Sequence, residues 1–306
     1  MNKKKSLIIS FFLFILSFSF IGYGFYYDYQ YNNQQIISII TNATIKSKPD
    51  SISITKNEDI KKYLDLDLTN IDETKLNTLI KEIKDKIKNE YEINIKYGNE
   101  IDGYSVGGLT CETLTDEKVI YISLAKIYNA LNLYPKNFFK EFGDSGISLE
   151  IYIIKEYSTE NVTGLTDSTN KNVIISLATD YSLEETIHHE LFHYIDYYIM
   201  SNGGEYTTWN ELNPNGFNYG ERDETLAYTK TGSSDSYFVN TYAQENEYED
   251  RASTFEYMMS NIRIPCFKKN TPIYLKSTYM ANQIELFFST VSSSKTEYWE
   301  RYLKDN

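Results

Sequence analysis

The chain has 306 residues, 41% of them hydrophobic, which supports a folded body of one or two domains. Its formal net charge of −13 excludes the basic surface that a nucleic-acid partner selects. There are two cysteines, Cys111 and Cys266, without CxxC or Cys/His zinc spacing; they read either as free thiols or as one disulfide.

Lys3, Lys4 and Lys5 precede an uncharged run of 22 residues, Ser6 to Tyr27, rich in Phe, Ile and Leu. That length spans a bilayer. The lysines would stay in the cytoplasm, which puts the remainder outside the cell. Residues 1–27 are therefore expected to be a membrane anchor. The rival reading is a signal peptide, for which Gly22-Tyr23-Gly24 is a poor cleavage pattern. Residues 28–69 are polar and read as a stalk or lead-in. Residues 70–306 form one body in which no second core is evident.

Leu76, Leu79, Ile80, Ile83 and Ile87 recur at helical spacing and predict a helix over 73–90. Ile93, Ile95 and Tyr97 alternate with polar residues, which predicts a strand over 92–97. Gly103 to Thr115 reads as a loop. Ile120, Leu124, Ile127 and Leu131 predict a helix that stops before Pro135. Phe138, Phe139 and Phe142 suggest one more helical turn. Leu149 to Lys155 and Asn172 to Ala178 read as strands. Gly164-Leu165-Thr166 echoes Gly108-Leu109-Thr110, each with a later Ile-Ser-Leu-Ala. The gaps differ, and the echo is read as coincidence.

The stretch from Ser182 to Tyr198 is predicted to be a helix. Ser182 with Glu185 makes a capping box, and Leu183, Ile187, Leu191, Tyr194, Ile195 and Tyr198 form its apolar face. Asn202-Gly203-Gly204 is the expected stop. Within it lies His189-Glu190-Leu191-Phe192-His193, an HExxH pattern that contains two of the chain's three histidines. Two histidines four apart share one helix face and can grip one zinc ion, with Glu190 beside them as general base. His188 points about 100° away, which suits a packed polar residue better than a ligand. A strand just before an HExxH helix is the order of a zincin. The expected fold class is α+β: a small mixed sheet with its edge strand next to the HExxH helix, where a peptide can add itself, and a helical C-terminal half.

Residues 200–240 read as a long irregular connection, with Trp209, Pro214, Phe217 and Tyr219 able to pin it to the body. Ala252, Phe255, Met259 and Ile262 predict a helix over 247–263, closed by Pro265. A last helix is expected over 274–292.

A catalytic zinc takes three protein ligands and leaves one position open. Metzincins place a third histidine six residues past the second, after a glycine at plus three; here those positions hold Ile199 and Asp196. With no further histidine near, the third ligand must be a carboxylate. The candidates are Glu205, Glu211, Glu221, Asp223, Glu224, Glu249, Asp250 and Glu256. A ligand belongs on a rigid element, which narrows them to Glu249 and Glu256 on the 247–263 helix. Glu249 could equally close a capping box with Asn246. Asp196 and Asp250 could receive the free N–H of a ligand histidine or be solvated charges. Arg251 could balance neighbouring acids.

The run from Tyr242 through Glu249 to Met258, YAQENEYEDRASTFEYM, resembles the catalytic centre of the anthrax lethal factor group of zinc peptidases, which includes the clostridial Pro-Pro endopeptidases. In that group a tyrosine precedes the ligand glutamate by seven residues. Trp209 to Tyr219, with EDRA at 249–252, also looks like a broader set of bacterial zinc-peptidase-like proteins. The likeness spans roughly Asn172 to Met259. It implies a gluzincin-type zinc metallopeptidase with His189, His193 and Glu249 as metal ligands, Zn2+ as cofactor, Glu190 as general base and Tyr242 as hydrogen-bond donor to the oxyanion. The implied partner is a peptide or protein substrate outside the cell, with the membrane met through the N-terminal segment. Two departures stand out: His193 and Glu249 are 56 positions apart, and Ser253 replaces a second acidic residue of the ligand helix. A zinc-binding but inactive surface module is the alternative function.

Overall fold

The structure, a computed structural model, describes residues 58–159, 161–169, 171–179, 183–260 and 265–304. The expected anchor at 1–27, most of the 28–69 lead-in, Ser182 of the capping box and Ile262 lie outside the described residues. The end of the lead-in is folded: Glu58–Leu64 is a short helix that buries Ile60 and Tyr63, and the Tyr121 hydroxyl donates to the Tyr63 carbonyl at 2.9 Å.

Among the described residues, five longer helices and six strands make up the α+β body. Helix α1, Glu73–Tyr91, starts where the Asp72 carboxylate accepts from the Lys75 amide, and it buries Leu76, Ile80, Ile83 and Ile87. An N-cap acid satisfies an otherwise unpaired amide, and the apolar stripe supplies the packing energy. Strand β1 is Asn94–Tyr97. The expected 103–115 loop is instead a small hairpin, β2 Ser105–Val106 and β3 Leu109–Thr113. Gly107 and Gly108 turn it at positive φ, a backbone region that glycine enters without steric cost. Helix α2, Glu117–Leu131, and a short helix, Lys140–Asp144, precede β4, Ser148–Tyr157.

The sheet is mixed and runs β2-β3-β4-β6-β5, with β1 also pairing β4. Strand β6, Asn172–Ala178, pairs in parallel with β4 from Ser148↔Asn172 to Ile154↔Ala178. The predicted strand at 172–178 is therefore internal rather than the edge. The edge is β5, Gly164–Thr169, antiparallel to β6 and unmarked by the apolar pattern. An edge strand keeps polar residues toward open solvent, so GLTDST carries little of the signal by which buried strands are recognised. In β4, Ile151 and Ile153 are buried on one face; Tyr152 and Ile154 join Ile101, Val106, Tyr157 and Ala178 on the other.

Helix α3, Leu183–Ser201, is buried on nearly all sides. It packs against β5 and β6 and against helix α4, Glu247–Met259. Behind α3 lies a layer of rings: Phe142 stacks on Tyr194 at 3.9 Å and Phe138 on Phe288 at 4.3 Å between centroids. Aromatic pairs contribute about 0.5–1.5 kcal/mol beyond the area they bury. At the expected stop, Gly203 takes φ +84° and the Gly204 amide donates to Ile199 O at 2.9 Å, a left-handed helix cap. Helix α5, Pro272–Phe287, closes the body over α4.

Candidate metal centre

Helices α3 and α4 bring His189, His193 and Glu249 together. One nitrogen or oxygen from each lies within 4.8 Å of the others. His189 Nε2 is 2.9 Å from Glu249 Oε2, and His193 Nε2 is 3.6 Å from the same oxygen. The imidazole rings stand 5.0 Å apart at 78° to one another. This is one turn of helix presenting two nitrogens to one point, as the four-residue spacing requires. Asn246 caps α4 by accepting from the amides of Tyr248 and Glu249. The Glu249 carboxylate turns to the histidines.

Two imidazole nitrogens and a carboxylate oxygen are the donor set of a three-ligand zinc site. The electrostatics agree. Burial opposes charge on His189, but hydrogen bonds to Glu249 and Glu256 outweigh it and push its pKa up to about 10. Burial likewise opposes charge on Glu249, yet the two imidazoles hold its carboxyl well below the usual range. The three side chains are arranged around a point that favours positive charge, so the residues fit a bound zinc ion.

Around this centre the tertiary structure assigns partners that spacing did not. The other nitrogen of His189, Nδ1, lies 3.2 Å from Glu256 Oε2. Glu256 thus faces Nδ1 of His189 and lies outside the three-residue cluster, in the place that was expected of Asp196 or Asp250. Seven residues separate Glu249 from Glu256, two turns of one face, and that spacing was the available signal. Asp196 is instead paired with Arg251, whose Nη2 donates to Asp196 Oδ2 at 2.7 Å. Asp250 Oδ2 accepts from Lys276 Nζ at 2.7 Å and Trp209 Nε1 at 2.9 Å in the interior, and from half-buried Tyr219 OH at 2.7 Å. Trp209 and Tyr219 thus pin the irregular connection to α4, and Phe217 packs on Phe238 at 4.7 Å. The remaining carboxylate candidates, Glu205, Glu211, Glu221, Asp223 and Glu224, are exposed.

His188 is buried, and its Nδ1 lies 3.0 Å from the Tyr134 hydroxyl. Burial and nearby Arg301 push its pKa down to about 3, so it packs as a neutral ring. Cys111, half-buried on β3, and Cys266, buried, are free thiols.

A cleft of about 630 Å³ opens over the cluster, lined by His189, Glu190, His193 and Glu249 together with Thr166 of β5 and Tyr242. Glu190 is only 5% exposed, and its Oε2 accepts from Thr166 Oγ1 at 2.6 Å. The Tyr242 ring stands 5.9 Å from that of His189. Its pKa is raised by burial and by the charges of Glu249 and Glu190, which keeps the phenol protonated. Met200, Tyr242 and Tyr248 are large apolar side chains that stay about half exposed, and all three line this cleft.

No family model matches the chain, and no curated protein matches it. Among solved structures, it is similar to a chain from Bacteroides caccae that is proposed to be a zinc-binding metallo-peptidase. The TM-score is 0.52 at 14% identity, over 78% of this chain and 94% of that one. At that identity the likeness speaks for the fold alone: the α+β architecture is shared with that chain.

Proposed function

We propose that the chain is a zinc-dependent endopeptidase that hydrolyses peptide bonds outside the cell, its zinc held by His189, His193 and Glu249. The observation that carries this reading is the position of Glu190. Its carboxylate lies in the same cleft as the three-residue cluster, one residue from a ligand, where a structural metal site has no use for it. The described cluster offers three ligands and an open side, whereas structural zinc sites close with four.

Zinc in such a site supplies a Lewis acid that acidifies water and polarises a carbonyl. The protein's own contribution starts with the substrate. An extended peptide can pair with the free edge of β5 as one further strand, which lays its backbone across the cleft. Glu190 takes a proton from the attacking water and later delivers it to the leaving amine. The Tyr242 hydroxyl donates to the negative oxygen that develops on the scissile carbonyl. Glu256 holds the His189 ring through Nδ1 and so keeps Nε2 turned into the cluster.

The arrangement resembles that of the lethal factor group in one respect, Tyr242 seven residues before Glu249. The charge-free segment at 6–27 supports export and tethering by an N-terminal anchor. The experiment is digestion of a peptide library by the zinc-loaded protein, with and without chelator. Chelator-sensitive cleavage supports the reading. Full zinc occupancy with no cleavage of any peptide would leave an inactive zinc-binding surface module.

A further inference from the structure

The proposed base does not stand alone in the cleft. Its carboxylate rests on the edge strand, which contacts it at two residues of the same face. Thr166 Oγ1 donates to Glu190 Oε2 at 2.6 Å, the length of a charge-assisted O–H···O bond. The same hydroxyl lies 3.3 Å from the Glu190 carbonyl. A hydroxyl has one proton to give, and the shorter contact takes it.

Two residues back, Gly164 leaves the space that the carboxylate occupies. A Cβ built there would stand 2.7 Å from Glu190 Cγ, 2.7 Å from Glu190 Oε1 and 2.7 Å from Thr186 Cγ2. A side chain at position 164 would therefore force Glu190 or Thr186 to shift. Successive side chains of a strand alternate between faces, so positions 164 and 166 present the gap and the hydroxyl side by side. This is what the Gly-Leu-Thr stretch does, and its counterpart at 108–110 lies in the β2–β3 hairpin instead.

We infer that Gly164 and Thr166 form a seat that sets the rotamer of Glu190, which makes Thr166 a positioning residue for the base; this rests on the hydrolytic reading above. The carboxylate side chain has three rotatable bonds, and an unseated one would sample orientations that miss the attacking water. Seated on β5, it shares one rigid element with a substrate strand paired to that edge. Its distance to the scissile bond is then set by the sheet.

The test compares zinc-loaded wild-type, Thr166→Val, Thr166→Ser and Gly164→Ala chains by crystal structure and by steady-state hydrolysis of one peptide. In Thr166→Val the Glu190 carboxylate should leave β5. At unchanged zinc content, kcat should fall about 10- to 100-fold with KM within about twofold. Thr166→Ser should keep the carboxylate seated and kcat within about threefold of wild type. Thr166→Val with Glu190 in the same rotamer, or with undiminished kcat, overturns the inference. If Thr166→Val does not fold, Gly164→Ala carries the same test, because it displaces the carboxylate from the other side while leaving the hydroxyl in place. If wild type cleaves no peptide, the hydrolytic reading fails by itself, and the crystallographic comparison decides whether the seat exists.

Discussion

Arg251 and Asp196 join the two helices that carry the metal cluster. Arg251 Nη2 and Nε donate to Asp196 Oδ2 at 2.7 and 3.2 Å, with both side chains almost fully buried. Asp196 follows His193 by three residues and Arg251 follows Glu249 by two, so the pair clamps α3 to α4 beside the candidate ligands. Arg251 also lies over the rings of Tyr206 and Tyr248, at 4.4 and 4.9 Å. A planar guanidinium can make both kinds of contact at once, which lysine cannot. Removing one partner of a buried ion pair leaves an uncompensated charge. Arg251→Met should destabilise the fold by about 3–5 kcal/mol, measured by urea unfolding. A loss below 1 kcal/mol would mean the pair is not a clamp.

Glu190→Gln keeps the shape of the side chain and removes its basicity. Zinc content by mass spectrometry should stay at one ion per chain, while kcat should fall by about 10²–10⁴. Turnover at wild-type level in this variant would remove Glu190 from the chemistry.

Glu249→Ala deletes the carboxylate that both histidines face. The variant should not retain zinc through dialysis, and added zinc should no longer raise its melting temperature. The wild-type chain should show that rise, because a ligand that binds only the native state stabilises it by mass action. Equal zinc occupancy in the two proteins contradicts the ligand assignment.

Glu256→Gln tests the contact to His189 Nδ1. A carboxylate behind a ligand imidazole fixes its orientation, and its loss typically costs about 10- to 100-fold in metal affinity. Competition against a chromophoric chelator measures this directly. Asp250→Asn, whose parent carboxylate faces Lys276, Trp209 and Tyr219, should affect stability more than zinc affinity, which separates the two roles.

Tyr242→Phe removes one hydroxyl from the cleft wall. Zinc affinity should be unchanged, and kcat should fall by about 10²–10³, the cost of losing one oxyanion donor. An unchanged kcat would return Tyr242 to the ordinary tyrosines of a Tyr-rich chain.

What the sequence by itself determined was much of what depends on spacing within one element. His189 and His193 share a face because four residues make about one helical turn. Asn172–Ala178 forms a strand because its run is apolar, and α1 follows from Leu76, Ile80, Ile83 and Ile87. The likeness around Tyr242 and Glu249 drew its candidate ligand from the same local kind of information.

Only the tertiary structure decided which carboxylate meets which partner across elements. Asp196, Asp250 and Glu256 are equivalent in composition, yet Arg251, the Lys276 network and His189 Nδ1 take one each. Buried charges must be paired, and the pairing is set by which elements pack together across separations of 26 to 67 residues. The edge strand was hidden for a related reason. Gly164 and Thr166 are conditioned by the side chain of Glu190 seated against them, and no periodicity in a polar hexapeptide encodes a neighbour that arrives from another helix.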